Sequence, residues 1–179
     1  MKSKQLIIEQ YQEELKKGYF TEAIVTLLGG IQRFDNDIDL IQLLSDLRSD
    51  YNLLKLFTEA QISKIQEFKE KATGENYTNL ILFETTWWSD FGFGGRQVSW
   101  EILFEALMED QENNALLNAI EELNDVDAPT FADGMETIAR EVVKGHFSRE
   151  LFDYLLLVLE DSEYPDALEF AVELANRKA

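Results

Sequence analysis

Cysteine is absent from the sequence. That excludes disulfides, thiolate metal sites and thiol nucleophiles, and it fits a reducing compartment. Histidine occurs once, at His146, so metal clusters and most imidazole catalysis have almost no vocabulary here. Cations are scarce: 16 Lys and Arg stand against 35 Asp and Glu, a formal net charge of −19. Nucleic acid is a poor direct ligand for such a chain, because binding it means neutralising phosphates. Anionic membrane surfaces are disfavoured for the same reason. Long apolar runs are missing too. Met1 to Glu9 has a basic start but only Leu6, Ile7 and Ile8 in apolar succession, too short for a signal peptide, and no stretch approaches a transmembrane span. The expectation is a soluble cytoplasmic protein.

What is present is enough apolar material, 45% of 179 residues, to bury a substantial core. All three tryptophans lie in the stretch Trp87 to Trp100, with Gly92, Gly94 and Gly95 among them. The same region separates two electrical regimes. Up to Glu75 there are 10 Lys/Arg and 13 Asp/Glu; from Asn76 onward there are 6 and 22. The expected organisation is a single helical domain, 1–179. A near-neutral half (1–75) and an acidic half (76–179) would join through the aromatic and glycine stretch 87–100.

Periodicity near 3.6 residues runs through most of the chain and predicts an all-α protein of eight or nine helices. Ile7, Tyr11 and Leu15 define the first helix, which Gly18 stops. Thr21 is placed to cap a second helix carrying Ala23, Ile24, Leu27, Leu28 and Ile31, with Gly29-Gly30 as an interruption. Asp35-Asn36-Asp37 precedes a third, through Ile38, Ile41, Leu44 and Leu47, which Tyr51 to Phe57 could extend. Thr58 with Gln61 has capping-box spacing and opens a fourth, through Ile62, Ile65 and Phe68. Tyr77 to Trp88 has strand-like composition, yet no other run offers it a partner, and an unpaired strand leaves its backbone unsatisfied. A helix from near Thr78 is the expectation.

In the acidic half, caps are expected at Ser99, Asp110, Thr130 (with Asp133) and Ser148, and Pro165 fits the first turn of the last helix. The helix after Ser148 contains Leu151, Phe152, Tyr154, Leu155, Leu156, Leu157, Val158 and Leu159. Apolar nearly all round, it is expected to be the covered central helix of this half. Successive helices joined by short connections resemble the antiparallel pairs of a HEAT-like αα stack, although no exact internal repeat is present.

The motifs that carry chemistry are few. Gly92-Phe93-Gly94-Gly95-Arg96 matches neither dinucleotide spacing, since Gln97 stands where the third glycine belongs, nor a P-loop, since no Lys-Ser/Thr follows. Its aromatics, Phe91 and Phe93, fit a core or an exposed recognition tip. Asp35-Asn36-Asp37-Ile38-Asp39 begins like a calcium loop, but Leu40 takes the glycine position and Asp46 the bidentate glutamate position; helix capping accounts for the same residues. No metal, cofactor or catalytic residues are assigned.

The acidic rows weigh more. Glu101, Glu105 and Glu109 stand at i, i+4, i+8, and Asp166, Glu169 and Glu173 at i, i+3, i+7, with Glu121, Glu122, Asp125 and Asp127 clustered between. Like charges at i, i+4 each cost a helix about 0.2–0.5 kcal/mol, and alternation with Lys would remove that cost. A solvated face explains such runs; so does a face that meets a cationic partner and steers it. Small size, acidity, an all-α pattern and the absence of cysteine and of a catalytic signature together resemble the bacterial immunity proteins of polymorphic toxins. That resemblance implies a non-enzymatic, cytoplasmic protein neutralising a cognate basic toxin domain. A helical-repeat scaffold or adaptor, and an enzyme with a carboxylate site, are the alternatives.

Overall fold

The computed structural model describes residues 3–160 and 165–177, with the backbone alone at 124, 125, 159, 160, 165 and 167. Among the described residues there are eleven α-helices and one 3-10 turn, and no strand. The chain is therefore all-α, with more helices than periodicity alone resolves. It forms two compact units, Met1–Phe91 and Gly92–Ala179. The charge boundary at 75/76 falls in the first turn of α6, inside the first unit.

The first unit comprises α1 (Lys4–Lys16), α2 (Phe20–Arg33), α3 (Ile38–Asp46), α4 (Tyr51–Leu54), α5 (Glu59–Lys71) and α6 (Gly74–Phe91). Asp37 caps α3 by accepting from the backbone N–H groups of Asp39 and Leu40. Thr58 and Gln61 form both halves of the expected capping box. Three local expectations fail. Thr21 is not a cap, since α2 already starts at Phe20 with no side-chain cap. Gly29-Gly30 does not interrupt α2: a Cβ at Gly30 would lie 2.9 Å from Ile7 Cγ2, so this glycine permits the close approach of α1. And α3 is not extended to Phe57, because the 3-10 turn Leu47–Ser49 intervenes and Asp50 caps a separate short α4.

The ambiguous stretch 77–88 is helical, within α6. Its lack of polar/apolar alternation has a packing cause. α6 lies against both α3 and α5, so Leu80, Ile81, Leu82, Phe83, Glu84, Thr85 and Trp87 are all buried. Leu27, Ile31, Ile41, Ile62, Ile65 and Phe83 belong to the buried core of this unit, with the Phe83 ring edge-on to Phe57. Full burial of each is worth about 1.5–3 kcal/mol.

The second unit comprises α7 (Gly95–Glu109), α8 (Asn114–Val126), α9 (Ala128–Val143), α10 (Arg149–Glu160) and α11 (Pro165–Ala175). α9, rather than α10, is its central helix: it packs against α7, α8, α10 and α11. The small residues Ala132, Gly134 and Ala139 let neighbours approach, while Phe131, Met135 and Ile138 fill the space between them. α10 buries Phe152 and Leu155 but leaves Tyr154 and Leu157 exposed, so its apolar surface is only partly used.

Caps also shift in this unit. Ser99 sits buried inside α7, which begins at Gly95 behind the left-handed Gly94. Asn113 caps α8, accepting from Leu116 N–H, and Asp127 caps α9, accepting from Thr130 N–H. Ser148 does accept from Leu151 N–H, as its spacing predicts. Among the described residues no helix is long and apolar enough to cross a membrane.

Candidate functional site

The three glutamates of α7 line the exposed side of that helix. Glu101, Glu105 and Glu109 are exposed, while Trp100, Leu103, Phe104, Ala106 and Leu107 are buried beneath them. Stacking of Trp100 on Phe104, with ring centroids 5.8 Å apart and planes nearly parallel, fixes which side faces outward. Glu101 accepts a hydrogen bond from Gln97 Nε2, and among the described residues no Lys or Arg pairs with any of the three.

The other acidic positions divide. Asp166, Glu169 and Glu173 are exposed on α11, and Glu173 holds Arg177 at 3.5 Å. Glu122 is exposed on α8. Glu121, one residue before it, is half-buried, and its carboxylate, interacting with the Tyr154 hydroxyl, raises that phenol above its ordinary pKa. The Asp125 side chain lies outside the described part of the structure. α7 and α11 each pack against α9, and no hydrogen bond or ion pair links their two acidic rows among the described residues.

Most cations of this unit are already engaged. Arg149 pairs with Asp153 at 3.0 Å and bonds Asn176, and Arg96 donates to the Val126 carbonyl. Lys144 and His146 both meet Glu141. The His146 hydrogen bond and, behind it, Lys144 hold the Glu141 carboxyl below its ordinary pKa. The only histidine thus belongs to a helix-end cluster. The outward acids of α7 face solvent with no intramolecular counter-charge among the described residues, so their field extends about a Debye length, roughly 8 Å at physiological salt.

The aromatic stretch separates by role. Trp87 and Trp100 are buried; Phe91 is half-buried with its ring centroid 5.0 Å from that of Tyr51. Phe93 is 98% exposed at the tip between α6 and α7. In the first unit, Lys4 donates to both Asp37, at 3.2 Å, and Asp39, at 2.8 Å, so the calcium-like acids hold an ammonium group. Among the described residues no group of three or more His, Asp or Glu is arranged to hold a metal.

One feature was invisible to sequence reading: an open groove of about 760 Å³ between α8 and α10, walled by Leu117, Asn118, Leu151 and Tyr154. Helical spacing alone places Leu151 and Tyr154 among core positions; which neighbours leave them uncovered is a matter of packing. No family model matches the chain, and neither the curated proteins nor the solved structures provide a match.

Proposed function

We propose that this chain is a non-enzymatic protein-binding module whose acidic helical surface receives a basic protein partner. In the most specific form of this reading it is an immunity protein that neutralises a basic toxin domain in the cytoplasm of the producing cell. The observation that carries the reading is the α7 row: Glu101, Glu105 and Glu109 are all outward and all without a basic partner among the described residues. Three like charges in one line work against the helix that bears them, so a role outside the helix accounts for them better than stability does. Phe93 would add an apolar anchor of the kind that carries interface energy.

Co-expression with the product of a neighbouring reading frame, scored for rescue of growth, tests the proposal. Rescue that weakens in the triple variant Glu101→Lys, Glu105→Lys, Glu109→Lys supports it; rescue indifferent to that variant removes the α7 row from the interface. The second reading is a helical-repeat scaffold. Packing of α7 on α8, α8 on α9 and α9 on α10 favours it, since contact between successive helices is what a HEAT-like antiparallel stack requires. Affinity capture returning abundant housekeeping proteins would favour that alternative.

A further inference from the structure

The α8–α10 groove lies in the acidic unit and has its own chemistry. Three apolar side chains line it, Leu117 and Leu151 half-buried and Tyr154 exposed, beside the polar Gln111, Asn114, Asn118 and Ser148. Leu157, 59% exposed, follows Tyr154 by three residues on α10 and lies beside the groove's own lining. Leu151 to Leu157 spans about 9 Å of helix axis, near two turns of a second helix laid alongside. The rim is acidic. Glu112 and Glu150 are exposed, and among the described residues no Lys or Arg lines the groove. Arg149, next to Glu150 at the start of α10, is held by Asp153 and Asn176 with its guanidinium over the Phe152 ring.

The mouth of the groove is held in place by one amide. Gln111 Nε2 donates to the carbonyls of Met108 and His146, and Gln111 Oε1 accepts from Ser148 N–H at 2.8 Å. This ties the α7–α8 connection to the α9–α10 connection, so the two walls are positioned before anything binds, which lowers the entropic cost of binding. A groove of this size between two helices, with Leu117, Leu151 and Tyr154 set among polar side chains such as Asn114 and Asn118, is a shape that an amphipathic helix fills, with anchors at i, i+3 or i+4, and i+7.

We propose that the groove between α8 and α10 receives an amphipathic helix of a basic protein partner. Its apolar face lies on Leu117, Leu151, Tyr154 and Leu157, and its Lys or Arg side chains point toward Glu112 and Glu150. This rests on the reading of the chain as a binder of a basic protein, and it specifies the element recognised. Charge selects the occupant: a second copy of this chain, also at −19, would bring acid against acid.

The test uses the full chain, isotope-labelled for amide NMR, and a synthetic Leu/Lys peptide of about 18 residues with Leu at helical spacing. The control is a peptide of the same composition in scrambled order. Saturable shifts concentrated in residues 111–121 and 148–157 are expected, with the scrambled peptide roughly ten-fold weaker because it cannot align its anchors. Tyr154→Ala with Leu157→Asp, both at exposed positions, should also lose about ten-fold. Glu112→Lys with Glu150→Lys should weaken binding more at low than at high salt.

Equal affinity for the scrambled peptide, or shifts spread over every acidic helix, overturns the inference in favour of unspecific charge attraction. Unchanged binding by the Glu112→Lys, Glu150→Lys variant overturns it even if the Tyr154 variant fails to fold. A concentration-dependent dimer that disappears in the Leu157 variant overturns it in favour of a second copy. Growth rescue that survives loss of groove binding sinks this inference alone; groove binding that survives absence of rescue sinks only the immunity reading.

Discussion

The indole of Trp100 lies directly over the Cα of Gly134. A Cβ at that glycine would overlap the ring carbons Cε2, Cζ2 and Cη2, so only hydrogen fits there. Through this contact α7 seats on α9, and the outward direction of Glu101, Glu105 and Glu109 follows from it. Gly134→Ala gains helix propensity of about 1 kcal/mol but must displace a buried indole, and overpacking costs about 1–3 kcal/mol. The variant is expected to be less stable in urea unfolding. Gly29→Ala, with nothing within 4 Å of the new methyl, is the control and is expected to stabilise by roughly 0.5–1 kcal/mol. Equal effects of the two substitutions would contradict the packing described.

Lys69 and Glu84 predict a second asymmetry. The Glu84 side chain is fully buried and accepts from Lys69 Nζ at 2.9 Å and from Gln66 Nε2 at 2.7 Å. Lys69→Met leaves a buried carboxylate with its charge unmatched, which costs about 3 kcal/mol or more. Replacing both, Lys69→Met with Glu84→Leu, should recover most of that loss, because no charge is left to desolvate. A double-mutant cycle measured by chemical denaturation checks the pair.

Tyr11 makes the fold sensitive to alkali. It is 3% exposed, and burial, helped by the Asp46 carboxylate, pushes its phenol from 10.0 up to about 12. The folded state therefore holds the phenolic proton more tightly than the unfolded state does. The resulting stabilisation is complete below pH 10 and is lost as pH rises toward 12. Tyr11→Phe should flatten the decline of melting temperature across that window. A wild-type protein whose stability is level from pH 10 to 12 would refute the assignment.

Glu105 and Phe93 separate stability from recognition. Glu105→Lys turns two like-charge neighbours, Glu101 and Glu109, into attractive ones and should stabilise the fold by roughly 1 kcal/mol. Phe93→Ala removes a ring that is 98% exposed, so the melting temperature should stay where it is. A drop like the roughly 3–5 kcal/mol typical of a buried Phe would mean that the ring is core after all.

The all-α class was legible in elements such as Ile62, Ile65 and Phe68 behind the Thr58 capping box, because both the apolar period and the cap are local. The exposed acidic row of α7 was legible for the same reason: residues four apart share a face whatever the helix packs against. Side chains without a local partner were harder to place. Phe91 and Phe93 are two residues apart and chemically identical, yet one meets Tyr51 and the other meets solvent. Composition points to α10 as the central helix, but the small residues of α9 make α9 the helix that others surround.

Local periodicity and capping chemistry thus determined, from sequence alone, that this chain is helical and which side of α7 carries its charge. Only the tertiary structure decided that Glu84 is buried against Lys69, that Gly134 admits Trp100, and that Leu151 and Tyr154 line an open groove. Each of those depends on residues brought together from separate helices, and burial is a property of what surrounds a side chain rather than of the side chain itself.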